Sequence, residues 1–356
     1  MRKVLKSGRK SIPLRLEDGV TLQDALDATL DELKSRGTNT AAGGSTAEEM
    51  EAAVAAPTAA AIPMITVHTD DLETTLANLP NAASDWLRNG GFDGKITLIG
   101  AEAQPPYQRP PLSKAYLMGD MTLERLYLRP EAFYAEQQID LRLGVHVQGI
   151  DTASKTIDLG AEQLSYDDLV LTTGSVPHRL PAAIGGTLEA VHVVRGLADV
   201  DAMAPRFVEG AKVLIVGGGY IGLEAASVAA KLGLEVTLVE MATRILQRVA
   251  APETSDFFRD LHASNGVDLR EGVGLERFTG EGAVSGAVLT DGTTLDVDFV
   301  IVGVGIAPAT ALAEAAGVGL DNGIAVDAQG RTDVAHVWAA GDCTSFPHAG
   351  GRIRLE

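Results

Sequence analysis

Three glycines and a glutamate carry the chemistry written most plainly into this chain. Gly217, Gly219 and Gly222 form G-x-G-x-x-G. An apolar run at residues 213–216 precedes them and reads as a buried strand; residues 220 to about 232 come after and read as a helix. The first glycine permits the tight turn, the second lets an anion approach the backbone, and the third lets helix and strand pack closely. The free N–H groups and positive dipole end of such a helix start favour a pyrophosphate, so Gly217, Gly219, Tyr220, Ile221 and Gly222 can hold one without a basic side chain. A second strand over residues 235–239 then ends on Glu240. A carboxylate in that place accepts hydrogen bonds from a ribose 2′-OH and repels a 2′-phosphate, which favours NAD over NADP. Glycine turns are common at plain strand–helix corners. Strand, helix, second strand and acid standing in register make this one a dinucleotide site.

The elements that position these residues belong to a chain of 356 residues, 46% hydrophobic and 22% charged, long enough for two or three domains with their own cores. No apolar run is long enough to span a membrane, and the basic start MRKVLKSGRKS leads into no apolar signal core, so the cytoplasm is the expected compartment. Cys343 is the single cysteine, which leaves no internal disulfide, dithiol redox centre or four-cysteine metal site within one chain. The seven histidines are scattered without metal-binding spacing, so no metal site is expected. They read as structural or exposed, and Cys343 as a small packing residue. A formal net charge of −19 argues against nucleic acid as a partner.

Along the chain, residues 1–35 read as a small separate element, with a strand in SIPLRLEDG and a helix over residues 21–36 capped by Thr21. Residues 36–63, rich in Ala, Thr, Gly and Ser, have the composition of a flexible linker. Then come a strand at residues 64–67, a helix over residues 72–88 interrupted by Pro80, and a strong strand at residues 95–99. This is again a βαβ pattern, yet no glycine lies between Ile65 and Arg88, and Asp70, Asp71 and Glu73 add negative charge there. A short strand near residues 141–147, a hairpin at 155–159 and 163–166, and a buried strand at 169–172 ending in Thr173 and Gly174 complete the first half. The second half repeats this plan, with a helix over residues 255–265, a D-G turn at Asp291 and Gly292, and a buried strand at 299–302 ending in GVGIAP. KITLIGAE parallels EVTLVEMA, and LVLTTGSVP parallels FVIVGVGIAP, so the simplest account is an internal duplication of a nucleotide-binding unit. Finally, VWAAGDC places Gly341 and Asp342 at a strand C-terminus, where open α/β sheets bind ligands.

Four stretches, PYQRPPLSKAYL, LVLTTGSVP, VGGGYIGLE and AAGDC, occur in this order. Together they resemble the FAD-dependent NAD(P)H:ferredoxin reductases of the putidaredoxin reductase and rhodocoxin reductase type, from about Leu87 onwards. The resemblance implies an α/β fold of two Rossmann-like three-layer domains, with a NAD domain (186–311) inserted in a discontinuous FAD domain (64–185 and 312–356). It implies FAD and NAD as cofactors, NADH as hydride donor and a [2Fe–2S] ferredoxin-type protein as electron acceptor.

It also implies roles by matching positions. Arg109 and Lys114 face the FAD, Lys114 near the reactive edge and paired with Glu224 beside the hydride path. Glu102 meets the adenosine ribose. Asp342, with Gly341 before it, hydrogen-bonds the ribityl or pyrophosphate part of FAD, Thr173 and Gly174 line its other side, and Gly303 and Gly305 give NADH close access. In the family a glycine turn near the start cradles the FAD pyrophosphate, whereas residues 1 to about 86 here replace it with unrelated sequence, and the family continues past the position of Glu356. The second reading left open is therefore a truncated or chimeric NAD-binding module without retained FAD or reductase activity.

Overall fold

A computed structural model of the chain describes residues 92–355, residues 87 and 88, and the backbone of three strands nearer the N-terminus. The expected helix over residues 21–36, the linker and nearly all of the expected helix over residues 72–88 lie outside the described residues. The chain divides into two units, Met1–Thr58 and Ala59–Glu356. In the first, Lys3–Ser7 and Lys10–Leu14 pair antiparallel, which places the strand expected in SIPLRLEDG.

The second unit is built on two parallel five-stranded sheets. Their strands in chain order are β1 (Met64–His68), β2 (Ile96–Gly100), β3 (Ile139–Leu143), β4 (Asp168–Leu171), β5 (Val191–Val193), β6 (Lys212–Val216), β7 (Glu235–Glu240), β8 (Asp268–Glu271), β9 (Phe299–Val302) and β10 (Val337–Ala339). The first sheet runs β3-β2-β1-β4-β10 and the second β8-β7-β6-β9-β5. Each is the order of a nucleotide-binding half-fold, with the reversal of winding at β1 and at β6. In each half a three-stranded antiparallel meander sits between the third strand and the fourth: Gly149–Asp151, Thr156–Asp158 and Gln163–Ser165 in one, Leu275–Thr279, Gly286–Leu289 and Thr294–Asp296 in the other. The duplicated sequence pattern thus corresponds to a duplicated topology. The fifth strand differs in origin, coming from late in the chain in the first sheet and from just before β6 in the second.

Three helices pack on strands of the second sheet: α1 (Leu197–Met203) on β5, α2 (Tyr220–Lys231) on β6 and β7, and α3 (Pro252–Ser264) on β8. Strand β6 buries Val213 to Val216, and α2 lays Leu223, Ala225, Ala226, Val228 and Ala229 in the same core. Small residues on that helix face let the backbones approach, as the close contact at Gly222 requires. The loop after β2 joins this core too. Tyr107, Leu112, Leu117 and Leu126 are buried in one cluster with Leu223, so a segment that leaves the first sheet is packed against the second.

Boundaries shift at two places for identifiable reasons. Helix α3 begins at Pro252, ahead of the expected 255, because proline in a first turn forfeits no intrahelical hydrogen bond. The strand expected at 141–147 is Ile139–Leu143; it stops where Gly144 turns to φ +67°. The expected hairpin over 155–166 gains a third strand, Gly149–Asp151.

Candidate active site

The three glycines of the β6–α2 turn meet three different surroundings. Gly217 has φ +111°, and a Cβ there would lie 2.3 Å from the Gly303 carbonyl oxygen. A Cβ on Gly222 would lie 2.0 Å from the Gly217 carbonyl oxygen. A Cβ on Gly219 would meet nothing within 4 Å. The outer two glycines are therefore required by the protein's own packing, whereas the middle one opens a face of backbone to whatever binds there. Gly219 is also the N-cap of α2, and no side chain caps that start. The first N–H groups of the helix, at Tyr220, Ile221 and Gly222, are thus left for an anion. Tyr220 is itself exposed.

Glu240 ends β7 beside this turn. Its Oε2 accepts a hydrogen bond from Gly218 N at 2.7 Å and its Oε1 one from Ala242 N at 2.7 Å. Two backbone donors orient the carboxylate and leave further lone pairs for hydroxyl groups. Gly303 comes after β9, donating its N–H to the Val216 carbonyl at 2.8 Å, and Gly305 has φ +107° and accepts a bond from His178 N at 2.9 Å. The turns after β6 and β9 therefore face each other across the point where the strand order reverses.

Lys114 lies in a π-helical turn, Leu112–Tyr116, which Tyr116 N closes onto the Pro111 carbonyl at 2.9 Å. Such turns are rare and concentrate at functional sites. Lys114 Nζ forms an ion pair with Glu224 Oε2 at 2.5 Å and donates to the Pro110 carbonyl at 3.1 Å. Ser113 Oγ donates to the same Glu224 oxygen at 2.7 Å. Glu224 is on α2, so the PPLSK segment and the helix of the glycine turn are joined through this carboxylate.

Arg109 and Glu102, expected as two separate contacts, are brought together. Arg109 is buried and forms an ion pair with Glu102; its Nη1 donates to Tyr107 Oη at 3.0 Å and to the Arg195 carbonyl at 2.8 Å. Tyr107 Oη in turn donates to Glu102 Oε2 at 2.5 Å and accepts from Leu197 N at 3.0 Å. Burial, opposed by the neighbouring Arg109 charge and reinforced by Glu102, holds this phenol protonated well above its ordinary range.

Asp342 comes after β10 and is buried. Its Oδ2 accepts from Ser175 Oγ and from Arg195 Nη2, each at 3.2 Å, and Arg195 Nη2 also lies 2.9 Å from Ser175 Oγ. Its other oxygen, Oδ1, makes no hydrogen bond among the described residues. Thr173 and Gly174 stand at the end of β4, with Thr173 Oγ1 donating to the Ala309 carbonyl at 2.5 Å and Gly174 at φ +66°. Gly341 has φ +89°. Cys343 is fully buried, and burial raises its thiol pKa.

These contacts can be set against the two implied cofactors. The open backbone at Gly219, the uncapped helix start and the oriented Glu240 suit an adenine dinucleotide. For FAD, the unused acceptor of a buried carboxylate at a strand end suits a polyol hydroxyl, and Glu102 follows β2 while Thr173 and Gly174 follow β4, two strands of the same sheet with β1 between them. Sequence reasoning missed Arg195, Ser175, Tyr107 and Ser113. The last two lie inside the PYQRPPLSKAYL motif and were within reach; Arg195, in VHVVRG, carries no motif signal.

A family model described as pyridine nucleotide-disulphide oxidoreductase matches residues 81–355. The chain is 44% identical over 276 residues to a ferredoxin–NAD(P)(+) reductase of Sphingomonas sp, covering 76% of this chain and 66% of that protein. It is 41% identical to a putidaredoxin reductase of Pseudomonas putida, over 73% of this chain and 63% of that protein. Among solved structures, a covalent putidaredoxin reductase–putidaredoxin complex matches with a TM-score of 0.77 and 37% identity, over 84% of this chain and 72% of that one. The chain thus spans 63% to 66% of the length of these two curated relatives.

Proposed function

Since the chain belongs to the pyridine nucleotide-disulphide oxidoreductase family, among its ferredoxin reductases of the putidaredoxin reductase type, we propose that it is a FAD-dependent oxidoreductase that takes hydride from NADH and passes single electrons to a [2Fe–2S] ferredoxin-type acceptor. The observation that carries this reading is the Lys114–Glu224 pair, which ties the PPLSK turn of the FAD half to the helix that starts at the NADH cradle. A hydride moves only between atoms in near contact, so the two cofactor sites must be held in one fixed relation. Apolar packing of that turn on the helix, with Leu112 and Leu223 in one buried cluster, holds them so, and the pair sets charge between them.

In this reading Gly217, Gly219, Tyr220, Ile221 and Gly222 bind the NADH pyrophosphate, Glu240 accepts from its ribose, and the Gly303 and Gly305 turn lets the dinucleotide lie close to backbone. Lys114 and Glu224 fix charge beside the hydride path. Glu102, Arg109, Thr173, Gly174, Gly341 and Asp342 hold FAD, with residues 64–185 and 312–356 as its domain and 186–311 as the NAD domain. FAD, when bound, supplies a two-electron acceptor that can return electrons one at a time. Among the described residues no helix is long and apolar enough to cross a membrane, and we place the reaction in the cytoplasm.

The test is a visible spectrum of the purified chain after incubation with excess FAD and removal of the unbound fraction. Retained flavin bands that bleach on anaerobic addition of NADH support the reading; a colourless protein that still binds NADH overturns it. The glycine-free stretch between Ile65 and Arg88 favours that second outcome, a NAD-binding module without flavin, because a cradle forfeiting two charge-assisted N–H bonds of about 1.5–3 kcal/mol each loses roughly a hundredfold or more in affinity.

A further inference from the structure

We propose that Arg195 is a positioning residue for the flavin: by engaging Oδ2 of Asp342, directly and through Ser175, it turns Oδ1 into the acceptor for a ribityl hydroxyl. The proposal rests on the FAD reading above. Arg195 and Asp342 lie 147 positions apart, their side chains 8% and 5% exposed, with Nη2 and Oδ2 3.2 Å from each other. A carboxylate so deeply buried needs a cation and hydrogen bonds, and here one oxygen receives both while the other receives none among the described residues. A purely structural ion pair would be best satisfied with both oxygens bonded. One oxygen left as a charged acceptor at the end of β10 is what a hydroxyl donor requires.

The segment holding Arg195 is itself anchored. Arg195 N and Gly196 N donate to Asp199 Oδ2 at 3.1 Å and 2.9 Å, the Arg195 carbonyl accepts from Arg109, and Leu197 N donates to Tyr107. Arg195 comes after β5, the edge strand of the second sheet, whereas Asp342 comes after β10, the edge strand of the first. Flavin binding in one half therefore depends on a side chain supplied by the other half, Arg195, which lies outside the motifs that hold its partners Ser175 and Asp342.

The test is a double-mutant cycle on FAD affinity, read by quenching of FAD fluorescence, with NAD+ affinity as the control for folding. Arg195→Met should weaken FAD about tenfold or more, one factor of ten corresponding to 1.4 kcal/mol, with NAD+ affinity within about twofold. Arg195→Lys should recover part of the loss. In an Asp342→Asn background, Arg195→Met should cost less than about threefold further, because residues acting through one another are not additive. The Arg195→Met/Asp342→Asn pair carries no stranded buried charge, so the cycle remains readable even if Arg195→Met alone folds poorly. Unchanged FAD affinity in Arg195→Met, losses that multiply in the double variant, or equal loss of FAD and NAD+ overturns the proposal. A wild-type chain that retains no FAD overturns it together with the flavin reading, and only failure of the cycle against a flavin-retaining wild type overturns it alone.

Discussion

Lys114 Nζ and Glu224 Oε2 lie 2.5 Å apart, although 110 positions separate the two residues in the chain. Their side chains are 45% and 29% exposed. Ion pairs this open to water contribute about 0–1 kcal/mol to stability, so the pair has little weight as a structural fastener.

Lys114→Met is therefore expected to unfold within about 1 kcal/mol of the parent while NADH-driven flavin reduction slows about tenfold or more, a tenfold change in rate being about 1.4 kcal/mol of lost charge stabilisation. Stopped-flow bleaching of the flavin band beside a urea titration checks it. A slowed reaction explained wholly by lost folding would count against a charge role beside the hydride path.

Gly219 and Gly222 should separate binding from folding. Gly219→Ala adds a Cβ into open space and leaves stability nearly unchanged, yet it occupies the approach to the backbone and weakens NADH. Gly222→Ala drives a Cβ to 2.0 Å from the Gly217 carbonyl oxygen, and overpacking of that kind costs about 1–3 kcal/mol or more. Thermal unfolding and quenching of NADH fluorescence on both variants distinguish the two effects. Gly219→Glu should abolish NADH binding, and unaltered affinity there would remove the dinucleotide assignment.

Glu240→Arg should raise the preference for NADPH over NADH, since a guanidinium attracts the 2′-phosphate that a carboxylate repels. It also strips two backbone N–H groups, Gly218 and Ala242, of a charged acceptor, at about 1.5–3 kcal/mol each before water compensates. The ratio of the two affinities, not either alone, is the informative measurement. A ratio that stays put would argue that Glu240 only ties the loop.

His192 packs edge-to-face on Phe299, its Nε2 buried without a hydrogen bond among the described residues. Burial, and secondarily the Arg206 charge, lowers its pKa below the ordinary 6.5. A depressed pKa means the folded state binds protons less readily than the unfolded chain. The associated stability is present above about pH 6.5 and is lost as pH falls through the folded pKa. His262 shifts the same way through burial. Chemical denaturation between about pH 7.5 and 5 should therefore show falling stability, with a shallower slope in His192→Phe; identical slopes would refute the assignment.

The contrast between Gly217 and Arg195 shows how far the sequence reached. The local fold of the glycine turn was legible, because the turn, the helix and Glu240 lie within 24 consecutive positions, 217–240, directly after their strand, and each needs a specific residue type for a local steric or electrostatic reason. The two half-folds were legible too, since buried parallel strands leave unbroken apolar runs and the runs recur in the same order. Strand ends were less so: β3 ends at Leu143, before the turn at Gly144, although apolar residues continue at Val145 and Val147.

Apart from Lys114 with Glu224, a pair the resemblance already implied, tertiary structure alone decided which charges meet. Nothing in the neighbourhood of Glu102, Arg109 or Asp342 announces that the first two pair with each other, or that the third is held by Arg195. Their separations of 7 and 147 positions are bridged by the loop after β2 and by the meeting of the segments that follow two edge strands. Local preferences and hydrophobic periodicity act over a few residues and so are written in order along the chain. A buried charge takes whatever partner the packed elements bring near it, and that proximity exists only once the two sheets and the segment between them are in place.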